Sequence, residues 1–76
     1  MFIRSTYTKY IVVAYRADGS EIFTVERYGL FGADECALSL ANSMAGQIGA
    51  SVTITAKVAN GNAVAAILLE ELSITE

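Results

Sequence analysis

Positions 51–58 read Ser-Val-Thr-Ile-Thr-Ala-Lys-Val, polar and apolar in turn with almost no error. Side chains of an extended strand point alternately to opposite faces, so this pattern is a strand with one buried face. Asn60-Gly61 follows, a dipeptide that suits the positive φ values of a two-residue hairpin turn. Folding back on it pairs Val58 with Ala63, Ala56 with Ala65, Ile54 with Ile67 and Val52 with Leu69. Each inward position then meets an apolar partner. The competing assignment makes residues 63–72 a helix capped by Asn62, since Ala, Leu and Glu are good helix formers. The strand is preferred because its register fits and the helical stripe does not improve on it.

A second hairpin is expected in residues 8–28. Tyr10-Ile11-Val12-Val13-Ala14-Tyr15 is rich in β-branched and aromatic residues, Ala17-Asp18-Gly19 supplies turn chemistry, and Ile22-Phe23-Thr24-Val25 returns as a strand. A three-residue loop with a bulge at Gly19 places Val13 opposite Phe23 and Ile11 opposite Val25. A two-residue loop pairs Arg16 with Glu21 and Val12 with Val25. The first register gathers four large apolar side chains on one face and is the one expected.

Between the hairpins, residues 33–47 read as a helix. Ala37, Leu40, Ala41, Met44 and Ile48 fall on one stripe, with Ser39, Asn42 and Ser43 opposite. Asp34 and Glu35 are expected in the first turn, at the positive end of the dipole, and Gly46 and Gly49 can end the helix. The fold implied is α+β, a ββαββ arrangement: a four-stranded antiparallel sheet with one helix packed on one face, formed as a single domain over residues 1–76. One helix covers one face of a sheet. On these registers the other face carries Tyr10, Val12 and Ile22 from the first hairpin and Val64, Ala66 and Leu68 from the last strand.

Composition now matters. The chain has 76 residues, of which 54% are apolar. A small domain has too little interior to hide that many, so an exposed apolar face is expected, to be covered by a protein partner or a second copy. The longest apolar run, residues 63–69, is far short of the about 20 residues a membrane helix needs. No basic stretch followed by an apolar one marks a signal peptide at the start. A net charge of -3 argues against direct nucleic-acid binding, which requires a basic surface. Histidine is absent, which removes the usual general base and the commonest metal ligand.

The remaining reactive groups form no catalytic set. Cys36 has no histidine to activate it and reads as a small buried residue beside Ala37. A lone cysteine suits a reducing cytoplasm. Gly29-Leu30-Phe31-Gly32 lacks the length and lysine of a phosphate loop, is followed by Asp34 and Glu35, and reads as a strand-to-helix turn. The carboxylates match no metal-ligand spacing, so neither a metal nor a cofactor is expected. Some of them, Glu21, Glu26 and Asp34, could face a basic partner. Tyr7, Tyr10, Tyr15 and Tyr28 cluster near the first hairpin, and tyrosine is favoured at interfaces. The partner-binding residues expected are therefore Tyr10, Tyr15, Glu21, Ile22, Glu26, Tyr28 and Asp34.

With Tyr10-Ile11-Val12-Val13, Asp18-Gly19, Phe23-Thr24-Val25-Glu26 and a helix opening Asp34-Glu35-Cys36-Ala37, the chain resembles, in size, charge and architecture, the small phage or mobile-element inhibitors of the anti-CRISPR type. It is also similar to antitoxins in which a hairpin precedes a helix. In that group a Pro-Asp and Gly-Cys stretch precedes the helix, where this chain has Arg27-Tyr28-Gly29-Leu30-Phe31-Gly32. The first resemblance implies a non-enzymatic inhibitor, in the cytoplasm of a bacterial host, that binds a CRISPR effector subunit. The alternatives are a homodimeric assembly module or an antitoxin-like binding protein.

Overall fold

The computed structural model describes residues 7–60 and 63–76. Strands β1 (Tyr7–Tyr15) and β2 (Glu21–Arg27) are followed by helix α1 (Leu30–Ser43), then β3 (Ser51–Asn60) and β4 (Ala63–Ser73). All neighbouring pairs are antiparallel and the sheet order is β2-β1-β3-β4. The ββαββ fold expected from the sequence is present, and residues 63–72 are strand.

The first hairpin closes as a three-residue loop. The Gly19 N–H donates to the Arg16 carbonyl at 2.9 Å, the Arg16 N–H donates to the Ser20 carbonyl at 2.8 Å, and Gly19 takes a φ of 90°. The loop thus follows expectation, but the strand register does not. An irregularity at Ala14/Tyr15 leaves Ile22 as an extra residue on β2, so Ala14 pairs with Phe23 and Val12 with Val25. A bulge shifts pairing by one residue, and a shift of one turns every side chain to the other face. The inward residues of β1 are therefore Val12 and Ala14, both fully buried, with Tyr10 packed beside them. Ile11 and Val13, expected inward, lie on the other face. The expectation that Tyr10 and Val12 belong to the face away from the helix is corrected accordingly.

As far as Leu68 the second hairpin keeps its faces but not its pairs. Val58 pairs with Ala65 and Ala56 with Ile67, two residues beyond the expected register. A slip of two leaves every side chain on its own face, so alternation alone cannot detect it. Asn60 pairs with Ala63. The turn expected at Asn60-Gly61 falls partly on residues 61–62, outside the described residues. A second irregularity, at Ile54/Thr55, leaves Leu69 as the extra residue, so Ile54 meets Glu70 and Val52 meets Leu72. Leu69, expected opposite Val52, is instead about half exposed.

α1 begins three residues earlier and ends four residues earlier than its apolar spacing suggests. The Ala33 N–H donates to the Gly29 carbonyl, so Leu30 already lies in the first turn and Asp34 and Glu35 lie beyond it. Met44 caps the other end, and Gly46 follows at a φ of 95°. Ile48 consequently falls outside the helix and is exposed. Ala33 and Ala37 are fully buried, and these small residues let the helix lie close on the sheet. The core joins them to Val12, Ala14, Met44, Ala50, Val52, Ile54 and Ile74. Four of these nine are alanines, so little apolar volume is enclosed.

The coverage is also short. A helix of 14 residues is about 21 Å long. A strand of ten residues runs about 33 Å. α1 starts near the Tyr10 level and runs toward Ala50, leaving the β3–β4 tip bare. The described fold is accordingly elongated, 52 × 22 × 16 Å.

Candidate protein-binding surface

The two edges of the sheet are β2 and β4, and they differ in chemistry. β2 is seven residues long and carries Glu21, Glu26 and Arg27. Glu21 accepts a hydrogen bond from the Thr24 hydroxyl, and Glu26 pairs with Lys9 of β1 at 3.3 Å. Charged groups on an edge discourage pairing with another chain. β4 is eleven residues long, and its first seven, Ala-Val-Ala-Ala-Ile-Leu-Leu, carry no charge. All seven are exposed, including Val64 at 67%, Leu68 at 59% and Ile67 at 50%. Among the described residues nothing pairs with the outer side of β4.

Register assigns these side chains to faces. Val64, Ala66 and Leu68 lie opposite Ala59, Lys57 and Thr55, on the face away from α1, as expected from the sequence. Ala65 and Ile67 lie opposite Val58 and Ala56, on the helix side. α1 adds more apolar surface here. Phe31, Asp34 and Leu38 stand at i, i+3 and i+7 on one helix face. Asp34 lies close enough to Glu70 of β4 to raise its carboxyl, so this side of α1 is the one turned toward β4. Phe31 is 76% exposed and Leu38 56%. The β4 side thus offers a strand edge with apolar side chains on both of its own faces, and α1 exposes Phe31 and Leu38 on the same side of the molecule.

The Glu70–Asp34 pair marks the limit of that surface. Donation of the Glu70 carboxyl proton to Asp34 holds Glu70 above its ordinary value, with desolvation and the Asp34 charge acting in the same direction. An inward carboxylate and a bulge are both devices that blunt an edge. Here they occupy positions 69 and 70 and leave residues 63–68 straight and uncharged.

The residues expected to bind a partner do not share one surface. Tyr10 lies partly buried under α1, and Tyr15 is half-buried at the other end of β1. Glu21 and Ile22 sit where β2 leaves the hairpin loop, and Ile22 is the bulge residue. Glu26 is on the face away from α1, paired with Lys9. Tyr28 is exposed just before α1, and Asp34 lies on the β4 side of the helix. The face away from α1 is mixed rather than apolar, because Thr24, Glu26, Thr53, Thr55 and Lys57 stand around Ile11 and Val13. The surface that sequence reasoning missed is the flank of β4 with Phe31 and Leu38. The signal for its strand half was present in the uncharged run 63–69; its helix half depended on which side of the helix faces β4.

Cys36 lies in a shallow groove of about 390 Å³ between α1 and β2, lined by Arg27, Gly32, Glu35, Cys36, Ser39 and Leu40. It is half-buried and packs against the core. Among the described residues no group of three or more Cys, Asp or Glu could hold a metal ion, and no helix is long and apolar enough to cross a membrane. The sequence matches no family model, and comparison with curated proteins and with solved structures finds no similar protein.

Proposed function

We propose that this chain is a non-catalytic protein-binding module that engages its partner through the β4 side. The observation that carries this reading is the exposed, uncharged edge at residues 63–69, flanked by Phe31 and Leu38. An open edge provides main-chain hydrogen bonding, and its alternating side chains provide specificity. Apolar patches of this kind on small proteins mark interaction sites. The absence of histidine and the setting of the lone thiol favour binding over catalysis. A cytoplasmic location fits that thiol.

The acidic groups Glu21, Glu26 and Asp34 are dispersed, which favours the apolar edge over charge as the recognition element. An inhibitor of a nucleic-acid-handling complex would, with this surface, act by covering a protein contact rather than by imitating nucleic-acid charge. The test compares the tagged wild type with Val64→Lys/Leu68→Lys, both exposed positions that leave the core untouched. The expected result is a bound protein, further copies of the chain included, that the wild type holds and the variant releases. Equal retention by both, with every bound species shared, overturns the reading.

A further inference from the structure

We draw no further inference here: the strongest candidate, the exposed and uncharged outer edge of β4 at residues 63–68 with Phe31 and Leu38 of α1 on the same side, carries none because nothing in the structure shows what covers it.

Discussion

β3 and β4 lie side by side over ten residue pairs, yet they live in different environments. β4 is the more apolar over its first seven residues, and it is the exposed one. β3 carries Thr53, Thr55 and Lys57, and it supplies Val52 and Ile54, two of the three largest fully buried side chains. The difference comes from position. β3 is central and lies under Ala33 and Ala37 of α1, whereas β4 is an edge that α1 only flanks. Hydropathy alone therefore does not decide what this fold buries. Sheet order and helix length decide it, and the apolar residues they leave outside are the ones available to a partner.

The largest expected effect separates the two strands in stability. Ile54→Ala removes a side chain that is 1% exposed and should cost about 2–5 kcal/mol. Leu68→Ala, on the neighbouring strand, should cost about 0.5 kcal/mol or less, as surface changes do. Urea unfolding at dilute protein measures both, since dilution removes any stability gained by association. Equal losses from the two substitutions would break the comparison.

The next effect lies where the two strands are tied together. The Gly49 N–H donates to the Ile74 carbonyl at 3.0 Å, and the Ile74 N–H donates to the Ala50 carbonyl at 2.8 Å. These bonds join the start of β3 to the residue just after β4. Gly49 has a φ of 94°, and a Cβ built there would stand 3.0 Å from the Ala17 Cβ. Gly49→Ala should cost more than the about 1–2 kcal/mol of a left-handed alanine, because the hairpin loop must also move. Gly19→Ala provides the control. Its φ is 90° but nothing lies within 4 Å, so only the backbone cost is expected. Thermal unfolding of the two variants should rank Gly49→Ala as the more damaging; the reverse order would show that the loop does not rest on Gly49.

How much of this was legible depends on the kind of signal each element carries. β3 announced itself because its two faces differ in polarity. β1 did not reveal its faces, because Tyr10-Ile11-Val12-Val13-Ala14-Tyr15 is apolar at nearly every position, as a central strand covered on one side and crowded on the other can be. Its faces were inferred from the hairpin loop, and the loop was right. The bulge at Ile22 then moved the register by one, and no glycine or other special residue marks that bulge. The same applies to Leu69. Of the candidate surface, Val64, Ala66 and Leu68 were placed correctly on the outer face. Phe31 and Leu38 were not singled out, because their meaning depends on which side of α1 faces β4, a tertiary relation that helical spacing does not contain.

The smallest effect tests the carboxyl pair that ends the apolar edge. Glu70 faces Asp34, and its carboxyl is raised above the ordinary value of 4.5, chiefly by the hydrogen bond with Asp34. The folded chain therefore holds the Glu70 proton to higher pH than the unfolded chain does. The stability linked to that proton is fully present below about pH 4.5 and is lost as pH rises through the folded value. Above it, two carboxylates confront each other. Glu70→Gln keeps a hydrogen-bond donor and removes the repulsion, so its melting temperature should exceed that of the wild type at neutral pH, and the gap should close on acidification. Asp18 behaves oppositely. The Ser20 N–H and hydroxyl, with Arg16 nearby, hold its carboxyl below the ordinary 3.8, so its contribution is present above that pH and lost as pH falls through the folded value. Asp18→Asn should narrow its deficit against the wild type on acidification, while Glu70→Gln narrows its advantage. If Glu70→Gln instead melts lower than the wild type at neutral pH, Glu70 stabilises β4 in its charged form, and the boundary between the blunted and the open part of the edge is drawn by the bulge at Leu69 alone.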